Sequence, residues 1–264
     1  MPCLISARYI LEIDVKKIII KPINSKVANV FVKKWHYSGK TTQNSQLHFG
    51  AFYDGILHGV MSFGPSIDKR KTVALVKGTK FNDYLELNRM AFDSFLPKNS
   101  ESRSLSVALK LIKKHYPNME WIISFADGTQ CGDGTIYRAS GFVLAGLKKN
   151  TTMLLMPDGT IMADKTLNDH LTKKSGWWKK NGARPLDGFQ LRYIYFLDKS
   201  AKERLTVPIL PFSAIDKAGA RMYLGEKQSS VGSSKVEQPP ILEEEGGAVP
   251  TSTLHFHLES ENES

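Results

Sequence analysis

The segment Trp121-Ile122-Ile123-Ser124-Phe125-Ala126-Asp127, running through Gly128 and Gly134 into Thr135-Ile136-Tyr137-Arg138-Ala139-Ser140-Gly141-Phe142, constrains the fold of this chain more than any other. Its apolar run has the length of a buried strand and stops at a small-residue turn that contains an acid. A short helical segment then delivers Tyr137 four residues before Gly141. Strand, turn and helix in that order build an open α/β sheet, whose ligands collect at the carboxyl ends of its strands. Ser124, Asp127 and Tyr137 stand at such an end or just beyond it, and are candidate catalytic residues. A purely structural alternative stays open, with Tyr137 in the core and Gly141 capping the helix, although the phenol then still needs a partner.

Tyr137-x-x-x-Gly141-Phe142 after a strand resembles the fourth-helix signature of the acyl-CoA N-acyltransferases of the GNAT superfamily. The rest of the pattern agrees with that layout. Val15 to Pro22 reads as a β-branched strand. Asn24-Ser25 offers an N-cap to a helix carrying Val27, Val30, Phe31, Val32 and Trp35, which Gly39 ends. Gln46 to Tyr53 and Ile56 to Phe63 are strands joined by the two-residue turn Asp54-Gly55, a hairpin stopped by Gly64-Pro65. A polar, basic connection leads to a strand over Tyr84 to Phe92 and a helix over Ser100 to Tyr116, with Leu105, Ala108, Leu109 and Ile112 on one face. After the opening segment come strands over Phe142 to Leu147 and Thr152 to Met156, a Pro157-Asp158-Gly159 turn, and a late strand over Arg192 to Leu197. The expected fold is therefore α/β (α+β), a mixed, mostly antiparallel central sheet flanked by helices.

Charge separates the chain into unlike parts. It carries 36 Lys and Arg against 26 Asp and Glu, net +10, but residues 226–264 hold eight Glu, no Asp and two Lys, net −6, which leaves +16 on residues 1–225. A body that basic implies a polyanionic partner, because each cation that neutralises a phosphate releases a counterion. Residues 165–184 are expected to form an inserted basic lobe in which Lys173, Lys174, Lys179, Lys180 and Arg184 surround Trp177 and Trp178. With Lys33, Lys34 and Lys40 they are the candidate nucleic-acid-binding residues, although ribosome binding or solubility would also use such a surface, and the tryptophans suit either base stacking or core packing. Residues 226–264 are expected to be a disordered acidic tail, 213–225 a C-terminal extension, and 1–212 the catalytic domain. No apolar run approaches the ~20 residues that span a bilayer, and Met1-Pro2-Cys3-Leu4 lacks an export pattern. Cys3 and Cys131 give neither a disulfide framework nor paired zinc-ligand spacing, so a cytoplasmic location away from membranes is expected.

Three further clusters carry candidate chemistry. The helix end Lys33-Lys34-Trp35-His36-Tyr37-Ser38-Gly39-Lys40 crowds an imidazole, a phenol and a hydroxyl into one turn. His36 there can orient or deprotonate a nucleophile, or ligate a metal with His48 at the start of the hairpin. In an acyl-CoA transferase the loop before the third helix holds the pyrophosphate. Here it reads Lys98-Asn99-Ser100-Glu101-Ser102-Arg103-Ser104, without the usual glycines, so phosphate binding by Ser102, Arg103 and Ser104 stands beside ordinary helix capping. Glu86-Leu87-Asn88-Arg89 lies on the central strand, where strict alternation sends Glu86 and Asn88 to one face and Arg89 to the other. Buried polar groups there need partners, which argues for a site including Asn88 and Arg89, or for a structural bridge from Arg89 to a carboxylate such as Asp127.

Taken together, His36-Tyr37-Ser38-Gly39, His48-Phe49-Gly50, Phe63-Gly64-Pro65-Ser66, Glu86-Leu87-Asn88-Arg89, Ser124-Phe125-Ala126-Asp127, Gly134-Thr135-Ile136-Tyr137 and Arg192-Tyr193-Ile194-Tyr195-Phe196 closely resemble the phage Mom-type DNA-modification proteins, a divergent GNAT-fold group. The resemblance covers roughly residues 16–212. It implies a transferase that converts adenine in double-stranded DNA to N6-(carbamoylmethyl)adenine and so protects phage DNA from host restriction. It further implies catalytic roles for Tyr137, Asp127, Ser124, His36 and Tyr37, acetyl-CoA or another acyl-CoA as cofactor, and iron, for which His36 and His48, or Tyr37 or Asp127, would be the ligands. A carbamoylmethyl group places a CH2 on N6, so acyl transfer alone does not give this product. The alternatives are a conventional N-acetyltransferase acting on protein or small-molecule amines, and a non-catalytic nucleic-acid-binding protein.

Overall fold

A computed structural model describes residues 13–130, 132–164, 180–223 and 226–227. The main sheet has seven strands, β1 (Ile19–Pro22), β2 (Leu47–Tyr53), β3 (Ile56–Gly64), β4 (Tyr84–Phe92), β5 (Trp121–Asp127), β10 (Phe189–Phe196) and β6 (Val143–Lys149), adjacent in that order. Every neighbouring pair is antiparallel except β4 with β5. The expected mixed, mostly antiparallel sheet flanked by helices is present. The late strand lies inside the sheet. β10 begins at Phe189 and lies between β5 and β6, where its apolar residues Leu191, Tyr193 and Ile194 are fully buried.

Local chemistry explains the element boundaries. The Asp14 carboxylate accepts the Lys16 N–H at 2.9 Å and turns Val15–Lys17 into a 3-10 helix, so β1 starts later than the β-branched run suggests. Asp54 (φ 47°) and Gly55 (φ 80°) take the left-handed conformations that a two-residue hairpin turn requires. The Asn24 side chain accepts the Val27 N–H at 2.9 Å and starts α1 (Ser25–Trp35), as expected. Its buried stripe is Ala28, Phe31 and Val32, whereas Val30 is 71% exposed, because 100° per residue carries Val30 to the far side.

Two helical layers cover the sheet. On one face, α3 (Ser100–His115) buries Leu105, Ala108, Leu109 and Ile112 against Phe49, Met61, Phe63, Leu87, Ile122 and Leu144. The opposite face meets α1 through Ala28, Phe31, Val32, Val60 and Ala91, and a second cluster gathers Leu75, Val76, Tyr84, Trp121, Ile123 and Ile194. The basic connection before β4 contains a short helix, α2 (Lys69–Val73), capped by the Asp68 side chain. After the short helix α4 (Thr135–Ala139), a small sheet forms from β7 (Met153–Leu155), β8 (Ile161–Ala163) and β9 (Arg184–Pro185). Arg184, expected in the inserted lobe, is thus a strand residue paired with Leu155, and Lys180 is exposed. Lys173, Lys174, Trp177, Trp178 and Lys179 lie outside the described residues, as do Cys131 and residues 228–264. Past β10, α5 (Lys199–Glu203) buries Ala201, and α6 (Ser213–Lys217) delivers Ile215, which with Ala220 joins the main core. Strand β11 (Met222–Tyr223) pairs with β12 (Glu226–Lys227). Among the described residues no helix is long and apolar enough to cross a membrane.

Candidate active site

Two irregularities in the sheet build the site. β4 and β5 pair only through Tyr84 with Trp121, Leu85 with Ile122 and Glu86 with Ile123, although both strands run on to Phe92 and Asp127. Beyond Glu86 they part, which leaves main-chain N–H and C=O groups on both inner edges outside the ladder. On its other side β4 pairs with β3 as Ser62 with Arg89 and then Phe63 with Leu87, so Asn88 is the extra residue of a β-bulge. The bulge overturns the alternation expected from sequence. Leu85, Leu87, Met90 and Phe92 all pack on the α3 side, and Glu86 and Arg89 therefore share the other face.

On that face Arg89, Ser62 and His48 stand side by side across three strands. Ser62 Oγ lies 2.9 Å from His48 Nδ1, and His48 Nε2 is buried with no hydrogen-bond partner among the described residues. Burial lowers the His48 pKa, partly offset by a backbone hydrogen bond at Ser45, so the ring is neutral near pH 7. The loop from α1 to β2 is tied over the bulge at three points. Arg89 Nε donates to Lys40 O at 2.9 Å, Ser45 Oγ donates to Asn88 Oδ1 at 3.0 Å, and the Asn44 amide donates to Pro65 O. Gly64 makes this closure possible, since a Cβ there would sit 2.3 Å from Asn44 O and 2.8 Å from Asn88 Oδ1.

That loop brings His36 to Arg89. Burial, reinforced by the Arg89 charge, pulls the His36 pKa from 6.5 to about 4. The Ser38 N–H donates to His36 Nδ1 at 3.2 Å, with Ser38 Oγ 2.8 Å away, so the neutral ring carries its proton on Nε2. A base at His36 Nε2 is thereby excluded, and the ring is a hydrogen-bond donor there. Tyr37 is 53% exposed and its ring lies 4.3 Å from the imidazole centroid. Glu86 behaves in the opposite sense: burial raises its pKa, while Ser66, Asn88 and the Arg89 charge oppose the rise. Of the groups gathered here, Glu86 has its carboxyl held towards neutrality. Lys33, Lys34 and Lys40 are exposed around this cluster, Lys34 Nζ resting 5.0 Å from the Trp35 ring centre.

The remaining expected residues fall elsewhere. Ser124 and Tyr137 are on the α3 face. Ser124 is fully buried opposite Tyr193, its hydroxyl without a hydrogen-bond partner among the described residues, and the Tyr137 ring contacts Tyr193 at 5.4 Å and Phe142 at 5.5 Å. Phe142 N–H closes on Tyr137 O at 3.1 Å and Gly141 takes φ 86°, which ends α4 in a left-handed cap. Asp127 does not meet Arg89. It accepts from Thr129 Oγ1 at 2.5 Å and Thr129 N at 3.1 Å in a local turn. Arg103, expected at phosphate, donates to Val15 O at 2.8 Å and Lys16 O at 3.4 Å, Ser104 is fully buried, and Ser102 donates to Asn99 O at 3.2 Å. Arg103 thus uses its Nε and Nη2 to hold the turn before β1, and the Ser104 hydroxyl is buried with no hydrogen-bond partner among the described residues. Among the described residues no group of three or more His, Cys, Asp or Glu could hold a metal ion, so the pairing of His36 with His48 as iron ligands finds no support. Glu86 had no place among the catalytic candidates. Its signal was an acid in a central strand, and its meaning depended on the bulge.

The profile of the Mom protein family matches residues 17–214. The methylcarbamoylase Mom of Escherichia phage Mu is 35% identical over 216 residues, covering 79% of this chain and 88% of that protein. Among solved structures, the GNAT-superfamily phosphinothricin acetyltransferase of Sinorhizobium meliloti in complex with acetyl-CoA superposes with a TM-score of 0.43 at 12% identity, over 74% of this chain and 96% of its own. The IAA acetyltransferase of Bacillus cereus does so with a TM-score of 0.40 at 12% identity, over 68% and 99%. The family match and the phage Mu relative both span most of the chain, and the chain belongs to the Mom protein family.

Proposed function

We propose that this chain is a DNA-modifying transferase that places a carbamoylmethyl group on N6 of adenine in double-stranded phage DNA, in the host cytoplasm, and so shields that DNA from restriction. One observation supports it above the others: a chain of the methylcarbamoylase family carries Glu86, Arg89, neutral His36 and neutral His48 around the point where β4 and β5 part. N6 loses one proton when a carbon is attached to it. Glu86, its pKa raised by burial, is the group to take that proton, since a base works best with a pKa near the working pH. Arg89 keeps Glu86 ionisable, and His36 offers its Nε2–H to an acceptor on the base or the incoming group. Tyr137, half-buried, acts from the α3 face, and exposed Lys33, Lys34 and Lys40 meet the DNA backbone.

An acyl-CoA is the proposed donor-side cofactor. The open edges of β4 and β5 suit an extended amide-bearing arm, which would add to the sheet as a strand does, whereas the Ser104 side chain is buried too deeply to meet its phosphates. A thioester bound there would supply the two-carbon unit and release its thiol, while the N6–CH2 bond would need a two-electron oxidant and the amide an ammonia-level nitrogen donor besides. Nucleoside mass spectrometry of DNA from cells expressing the chain tests the function, with modified adenine expected from the intact protein. Unmodified bases together with salt-dependent DNA affinity would point to a non-catalytic binder. Unmodified bases with acetylation of amines would point to a conventional acetyltransferase.

A further inference from the structure

Phe125 is out of place in its strand. Its neighbours Ile123, Ser124 and Ala126 are at most 4% exposed, yet Phe125 is 47% exposed near the middle of a seven-stranded sheet. Glu86 pairs with Ile123, two residues before Phe125, so the ring faces the same side of the sheet as Glu86, just past the point where the strands part. Directly opposite Phe125, on β10, is Arg192, about 5 Å away as neighbouring positions in a sheet are. Arg192 is a cation without an anion. Its Nη2 donates to Ala145 O at 2.6 Å, its Nε has no partner, and it meets no carboxylate among the described residues. Gly146 leaves it room, because a Cβ there would lie 3.0 Å from Nη2.

A bare aromatic face beside an unneutralised guanidinium has the chemistry of a nucleotide site, the ring for a base and the cation for its phosphate. Resting on the proposed activity, we infer that the target adenine stacks on Phe125 and that Arg192 contacts the phosphate of the same or the adjoining nucleotide. An adenine placed there has left the duplex stack, which is how enzymes reach a base atom for chemistry, and it lies on the Glu86 side of the opening. Phe125 is then a positioning residue that sets base affinity without taking part in proton transfer.

The test compares binding of the full chain to a ten-nucleotide oligodeoxyadenylate and to its fully abasic counterpart. The expected result is that Phe125→Ala lowers the ratio of the two affinities about fivefold or more, that Phe125→Trp keeps it, and that Arg192→Gln weakens both ligands alike. Arg192→Gln should also reduce the slope of log affinity against log salt by somewhat under one, as for one lost phosphate contact on a single strand. An unchanged ratio in Phe125→Ala with the thermal midpoint retained, or an unchanged salt slope in Arg192→Gln, overturns the inference. Modified adenine in cells expressing the intact chain, alongside an unchanged ratio, leaves the proposed activity standing and removes only the stacking site. Absence of modified adenine removes the activity whatever the binding shows.

Discussion

Glu86→Gln separates chemistry from folding because the two effects have opposite signs. Glutamine keeps the shape and the neighbours Ser66 and Asn88 but cannot accept a proton. A positioned general base contributes about 10²–10⁴-fold, or about 2.7–5.4 kcal/mol of barrier, so modification should fall by that factor. Stability should not fall with it at neutral pH. Burial raises the carboxyl pKa above its ordinary 4.5, so the folded protein holds this proton where the unfolded chain has already lost it. The stabilising contribution is complete below pH 4.5 and is lost as the pH rises through the elevated native value. Near pH 8 the variant should therefore unfold at the wild-type temperature or above it, while the wild-type rate should lose its acidic limb at a pH above the usual carboxylate range. The assay is a time course of modified nucleoside by mass spectrometry, run beside thermal unfolding at pH 4.5 and pH 8. A variant that modifies adenine at the wild-type rate, or one whose loss of activity tracks a lowered midpoint at pH 8, refutes the assignment of Glu86 as the base.

His36 shows the opposite linkage. Its native pKa of about 4 lies below the ordinary 6.5, so its contribution is present above pH 6.5 and lost as pH falls towards 4. Urea unfolding should show the wild type losing about 1–3 kcal/mol more than His36→Asn across that window, allowing for the ring's partial exposure. Gly134 takes φ 81°, and a Cβ there would lie 2.4 Å from the Tyr193 ring; Gly134→Ala should cost about 2–4 kcal/mol from strain and overpacking combined, seen as a lower denaturant midpoint. Tyr193 OH donates to Asp133 O at 2.5 Å from a fully buried ring. Tyr193→Phe should then cost about 1–3 kcal/mol for the stranded carbonyl, with unfolding midpoints as the measure and no change as the contrary result.

What could be read from the sequence was what its signals carry locally. Asn24 marked a helix start because one side chain caps one turn, and Asp54-Gly55 marked a hairpin because the turn needs two left-handed residues. Trp121 to Asp127 read as a buried strand because its apolar run is short and bounded. The failures share a different cause. Val30 looked like a core residue because it is apolar, although only the stripe of Ala28, Phe31 and Val32 meets the sheet. Phe125 sat unnoticed in an apolar run, its exposure depending on how far β4 departs from β5. Arg103 looked free until its partners, the carbonyls of Val15 and Lys16, were placed beside it by the tertiary fold.

The bulge at Asn88 shows why the site was harder to read than the fold. Period-2 alternation is a property of one strand, whereas a bulge is a property of two. The extra residue in β4 exists only because Ser62 and Phe63 of β3 pair with Arg89 and Leu87. Without it Arg89 would point to the α3 side, into the apolar cluster of Leu105, Leu109 and Ile122, where an unpaired guanidinium would be strongly destabilising. With it, Glu86 and Arg89 share a face, the Arg89 charge adds to burial in lowering the His36 pKa, and Arg89 Nε can donate to Lys40 O and so tie down the loop carrying His36 and Tyr37. Gly64 belongs to the same device. It was read as the end of a hairpin, but its missing Cβ is what lets Asn44 and Ser45 close over Asn88. A methyl group at Gly64 should therefore disturb His36 and Arg89 through the loop: in Gly64→Ala an NMR titration of His36 should move from about 4 towards 6.5, and an unmoved titration is the contrary result.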